Sequence, residues 1–176
     1  MRDWQEIVER LVAERGSRLV AYGRMLVGPG DDAEDLVHDA IVKTFARGRN
    51  IHDVDHAEAY VRRVMPTLII DRSRSRAARS RTTQRAFERE RGGADLDAGV
   101  DVRRALSTLP PRERACVVLR FFDDLTVPQI AAQLGLAEGT VKRYLADASG
   151  TLASQLAVDA EPGEKVRVSA PGKEGR

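Results

Sequence analysis

Cysteine, histidine and aromatic residues are scarce in this chain, and each scarcity removes a class of function. There is one cysteine among 176 residues, Cys116. That excludes an intrachain disulfide framework and a multi-cysteine zinc site. Its setting, ACVVL, is apolar, so the thiol is expected to be buried. The three histidines are His38, His52 and His56. The HDVDH stretch at 52–56 has the residue types of a metal site. A polar loop entering a helix explains it more simply, and no metal or other cofactor is expected. There is no Gly-rich phosphate loop, no GxSxG and no HExxH, so no catalytic residues are assigned and no enzyme is expected. No run of eighteen apolar residues and no signal-peptide core occurs, which points to a soluble, cytoplasmic protein.

What the chain does have is charge, unevenly placed. The net charge is only +2. Residues 1–59 nevertheless carry eight bases against twelve acids, while residues 60–91 carry ten arginines against three acids. A cationic middle beside an acidic front suggests one surface for nucleic acid and another for a different partner. For Arg79–Arg91 a solvated linker is as good a reading as a binding surface. Few aromatics with many alanines and leucines suggest an all-α protein.

Apolar spacing supports that reading. Trp4, Ile7, Val8, Leu11 and Val12 recur at helical intervals and predict a helix ending near Gly16. Arg18–Val27 predicts a second. GPGDD at 28–32 is a turn, after which Asp31 or Asp32 should cap a helix running to about Arg47. Its apolar stripe is Ala33, Leu36, Val37, Ala40, Ile41, Thr44 and Phe45. Its other face carries Glu34, Asp35, His38, Asp39 and Lys43. Asp55 and Glu58 have the spacing of a capping box for a helix from Asp55 to about Ser75. Gly92–Gly99 reads as a flexible linker. A second helical unit is expected from about Val102, with Leu106 and Leu109 apolar. PPRER then starts a helix carrying Ala115, Val118, Leu119 and Phe122.

The most specific segment is TVPQIAAQLGLAEGTVKRYLADASGTL, residues 126–152. Thr126 can cap a short helix, Val127–Leu134, with Pro128 in its first turn. Gly135 supplies the backbone freedom of a sharp turn. A second helix starts near Glu138. Ala131 is small where the helices must approach, and Val141 is apolar where the second must face the core. This is the spacing of a helix-turn-helix, whose second helix can enter a major groove.

LSTLPPRERACVVLRFFDDLTVPQIAAQLGLAEGTVKRYL resembles region 4 of the extracytoplasmic-function (ECF) sigma factors, bacterial members of the sigma-70 family. DDAEDLVHDAIVKTFAR, followed by AYVRRVMPTLIIDRSRSR, resembles their region 2. Together they cover most of residues 17–156. The resemblance implies two small helical domains, region 2 over 1–78 and region 4 over 101–156. A flexible linker at 79–100 joins them, and a disordered tail at 157–176 follows. It implies a subunit that binds core RNA polymerase and directs initiation at promoter DNA, with an anti-sigma factor as regulator. By position, Asp35, His38 and Asp39 would dock on the polymerase, where an acidic patch can meet a basic surface. Arg62, Arg63, Arg72, Arg74 and Arg76 would hold phosphates at the −10 element. Thr67 and Asp71 would line the pocket for an unstacked base. Glu138, Thr140, Lys142, Arg143 and Tyr144 would read the −35 element.

Two departures from the family pattern stand out. Thr67 replaces a common Asn, and Pro66 before it should kink or break the helix. Tyr144, Asp147 and Ser149 stand where arginines are common, so the recognition helix is light in cations. An alternative is a stand-alone helix-turn-helix regulator, against which the region-2-like motif argues. A protein that keeps this scaffold only to sequester a partner is a third reading.

Overall fold

The computed structural model describes residues 3–28, 30–46, 51–80 and 98–159. These residues form seven helices and no strand, in agreement with the all-α expectation. They are α1 (Asp3–Leu26), α2 (Ala33–Ala46), α3 (Val54–Ser80), α4 (Ala98–Ser107), α5 (Pro111–Phe121), α6 (Val127–Leu134) and α7 (Glu138–Asp159).

The front unit is α1, α2 and α3 packed on one another. The break expected near Gly16 does not occur, and α1 is one helix. Its buried positions explain why: Leu11, Leu19, Tyr22 and Leu26 keep one helical face through the glycine. Tertiary burial of that face outweighs the roughly 1 kcal/mol that a mid-helix glycine costs. Arg15, just before it, ties α1 to α3 through Asp55 at 3.0 Å and Glu58 at 3.1 Å. Those two acids therefore serve as ion-pair partners and not as a capping box. The cap of α3 is Asp53, whose carboxylate accepts from the His56 backbone N–H at 2.7 Å. Asp32 caps α2 in the same way, accepting from Glu34 N–H at 2.7 Å. The α2 stripe is as expected: Ala33, Leu36, Val37, Ala40 and Thr44 are buried, and Ile41 and Phe45 are half-buried.

Pro66 lies inside α3 without ending it. A proline there removes one N–H and costs about 3 kcal/mol in a free helix. Val61, Met65, Ile69 and Ile70 on both sides of it are buried, so the neighbouring helices hold the segment in register.

The rear unit is α4 to α7. It starts at Ala98, earlier than expected, so Ala98 and Gly99 belong to α4 and not to the linker. α7 runs to Asp159, three residues past the expected end of region 4. Residues 81–97 and 160–176, which include most of the linker and tail, lie outside the described residues. Ile130, Ala131, Cys116, Leu119 and Val141 form a small core under the helix-turn-helix. Phe122 does not join it; it is exposed, as is Phe121.

The two units share a seam. Leu106, Leu109, Val117, Val118 and Ala148 belong to the same apolar cluster as Leu11, Leu36 and Met65. Arg114 crosses the seam. It is 3 % exposed, and the hydrogen bonds of its guanidinium go to carbonyls. Its guanidinium donates to Leu106 O, Ser107 O and Leu109 O of the α4 end, and to Leu26 O at the end of α1. Helix C-termini present unpaired carbonyls with partial negative charge, which a cation satisfies. A Cβ at Gly28 would meet this guanidinium at 2.8 Å, so the turn after α1 needs a glycine there.

Candidate nucleic-acid interface

The helix-turn-helix is built by its caps. Thr126 and Gln129 form a reciprocal capping box at the start of α6. Gly135 ends α6 in the left-handed region at φ 64°, a conformation that costs residues with a Cβ. Ala131 and Val141 are buried where α6 and α7 meet. This leaves Glu138, Lys142 and Arg143 exposed on the first turns of α7. Thr140 is half-buried. Tyr144 is held from the α5 side, its hydroxyl accepting from Arg112 at 3.2 Å. Its ring packs on the small core, with the Arg143 guanidinium 5.3 Å from the ring centre.

On α2, Asp35, His38 and Asp39 lie together on the exposed face. They form one acidic stripe, opposite the buried face that packs on α1 and α3.

α3 distributes its cations over two sides. Arg62 is turned toward the rear unit. It pairs with Asp123 at 2.5 Å and lies over the Tyr22 ring, 4.5 Å from its centre. The Tyr22 hydroxyl also donates to Asp123 at 2.5 Å, and burial followed by the Asp123 charge pushes its pKa far up. Arg63 is exposed, and its carbonyl accepts from Gln133 of α6 at 3.2 Å. An open cleft of about 520 Å³ runs between α3 and α6, lined by Arg62, Arg63, Asp123, Gln129 and Gln133. Arg72 and Arg76 turn toward α2, where Arg72 pairs with Asp39 at 2.5 Å and Arg76 with Asp31. Asp71 stands between Lys43 and Arg74, 3.9 Å from each. The Thr67 hydroxyl donates back to Val64 O at 2.7 Å, which leaves its oxygen free only to accept.

The exposed stripe of α2 and the second helix of the helix-turn-helix were legible in the sequence, but the acids that meet the arginines were not. Asp123 follows two phenylalanines at the end of a helix, which gives no hint of a partner sixty residues away. Arg114 did leave a signal: it lies four residues before Val118, on the apolar face of α5.

Two helical units, one ending in an exposed helix-turn-helix and the other carrying separate acidic and arginine-rich helices, define a DNA-binding transcription protein. Residues 100–152 match the family model of sigma-70, region 4. An RNA polymerase sigma-E factor of Streptomyces coelicolor is 33 % identical over 153 residues, covering 84 % of this chain and 85 % of that protein. An ECF RNA polymerase sigma factor SigE of Mycolicibacterium smegmatis is also 33 % identical, covering 81 % of this chain and 57 % of that one. The structure is similar to the sigma factor RpoE in its co-crystal with the anti-sigma factor NepR from Bartonella quintana. The TM-score is 0.59 at 25 % identity, covering 90 % of this chain and 99 % of the other. The chain belongs to the ECF sigma factors of the sigma-70 family, which are regulatory proteins of transcription. Among the described residues no helix is long and apolar enough to cross a membrane.

Proposed function

We propose that this chain binds core RNA polymerase through the exposed stripe of α2, Asp35, His38 and Asp39, and directs it to promoters. In this reading α3 handles the −10 element. Arg62, Arg63, Arg72, Arg74 and Arg76 hold the backbone, and Thr67 and Asp71 stand at the base pocket. The first turns of α7 read the −35 element through Glu138, Thr140, Lys142 and Arg143, with Tyr144 positioning Arg143. The assignment corresponds to region 2 over the front unit to Ser80, a linker from there to Ala98, region 4 over α4 to α7 and a tail beyond Asp159. The chain works in the cytoplasm, performs no covalent chemistry and needs no cofactor. An anti-sigma factor, such as RpoE carries in its co-crystal, is the expected regulator.

The observation that carries this reading is the coexistence of an exposed acidic face on α2 with an exposed helix-turn-helix on the other unit. A stand-alone regulator needs only the second. One consequence is geometric. The centres of the two promoter elements lie about 25 base pairs apart by their own names, roughly 85 Å of duplex. Gln133 of α6 touches Arg63 of α3. The two units must therefore separate before both elements can be read at once.

The test is co-elution of the full chain with core polymerase on gel filtration, without DNA. Wild type is expected to co-elute at micromolar concentration, and Asp35→Arg with Asp39→Arg to elute apart while remaining folded. Unchanged co-elution of that double variant would remove α2 as the docking face. Failure of the wild-type chain to bind would favour a stand-alone regulator.

A further inference from the structure

The α2–α3 contact joins the two surfaces just assigned, and it does so through charge. α2 and α3 pack antiparallel at this contact, so Asp31 meets Arg76 and Asp39 meets Arg72. The two pairs differ in exposure. The Asp31 carboxylate is 12 % exposed and enclosed, whereas that of Asp39 is 53 % exposed beside His38. The Arg72 guanidinium is 25 % exposed, lies 2.5 Å from Asp39, and is 3.5 Å from the carbonyl of Asp35. One carboxylate thus sits on the docking stripe and also neutralises a cation of the DNA-facing helix.

We propose that Asp39 is an exchangeable counter-ion: it either holds Arg72 or engages the basic surface of polymerase. The inference rests on the functional reading above. In the free chain Arg72 is neutralised and pulled toward α2, which lowers its attraction for a phosphate. A basic partner on α2 competes for the same carboxylate and releases Arg72 toward nucleic acid. Asp31 remains with Arg76 because it is enclosed. The coupling is reciprocal, as linkage requires. A phosphate on Arg72 frees Asp39 for the polymerase, so DNA strengthens docking as much as docking strengthens DNA binding. An exposed pair of this kind sets the scale, since breaking it changes an equilibrium by about threefold.

Two titrations of the full chain test this, each against a charge-matched control. The first measures core-polymerase affinity without DNA. Arg72→Gln frees Asp39 and is expected to tighten docking about threefold. Arg24→Gln, an exposed arginine on α1 with no ion pair among the described residues, removes the same charge and should not. The second measures binding of the free chain to a fluorescein-labelled single-stranded DNA of mixed sequence. Asp39→Asn is expected to tighten it about threefold and to steepen the salt dependence by about 0.7 in log–log slope. Glu34→Gln, exposed on the same helix, is the matched control. Either variant behaving like its control overturns the exchange. If Asp35→Arg with Asp39→Arg still docks normally, the docking assignment itself has failed and the exchange fails with it. If that variant loses docking while Arg72→Gln gains nothing over Arg24→Gln, the docking assignment stands and only the exchange is refuted.

Discussion

In α3, Arg62, Arg72 and Arg76 each meet a carboxylate from another segment. In α7, Lys142 and Arg143 stand exposed with no ion pair among the described residues. The two helices thus carry cations in opposite electrostatic states. The cations of α7 face solvent, whereas these three arginines of α3 are answered inside the protein. The front unit also carries the exposed acids of α2, so its cations and acids lie within reach of each other. The rear unit keeps Arg114 at the seam, and its helix-turn-helix turns Lys142 and Arg143 outward.

That contrast can be broken at the seam, where the largest effect is expected. Arg114→Met removes the guanidinium that four carbonyls share, and the lost charge-assisted bonds together cost about 3 kcal/mol. Urea unfolding should show that loss; a loss under about 1 kcal/mol would mean that the seam does not depend on this guanidinium. Next is the open helix. Lys142→Ala with Arg143→Ala removes the two exposed cations, for about 2 kcal/mol in binding at promoters that need a −35 element. Transcription from such promoters should fall while core binding is retained, and unimpaired initiation would take the −35 role from α7. Asp123→Ala releases Tyr22 and Arg62 together, which should lower stability by about 1.5 kcal/mol. It should also increase the separation of fluorophores placed on the two units, and an unchanged transfer efficiency would show that the triad does not hold them together.

The smallest effect concerns pH. Burial first, and the charge of Asp147 second, raise the Glu113 carboxyl above its ordinary value. A raised folded pKa contributes stability that is complete below the unfolded Glu value of about 4.3 and is lost as pH rises through the folded one. At neutral pH Glu113 is thus slightly unfavourable. Glu113→Gln should stabilise by a few tenths of a kcal/mol at pH 7, after screening is allowed for, and by nothing at pH 3.5. A stabilisation that is equal at both pH values would mean that the charge is not the cause.

Local rules carried the rear unit almost whole. Thr126, Gly135, Ala131 and Val141 are local signals, because caps, turns and helix contacts within a few residues follow from residue type. The α2 stripe was legible for the same reason, since a 3.6-residue period is written along the chain. Three local preferences were overruled by distant packing. Gly16 and Pro66 are helix breakers by themselves, but Leu11 and Leu19 on one helix, and Val61, Met65 and Ile69 on the other, bury continuous faces across them. Asp55 and Glu58 had capping spacing, yet Arg15 of α1 claimed both and left the cap to Asp53.

By itself, then, the sequence determined the helical class, the helix-turn-helix, the acidic stripe and the family, because periodicity and short motifs are properties of neighbouring residues. Only the tertiary structure decided that Arg114 closes the seam, that Asp123 gathers Tyr22 and Arg62, and that Asp39 lies on Arg72. Those pairings join residues between 33 and 101 positions apart. Which charge meets which depends on how helices cross, and that is set by the shape of the buried apolar faces and not by any spacing along the chain.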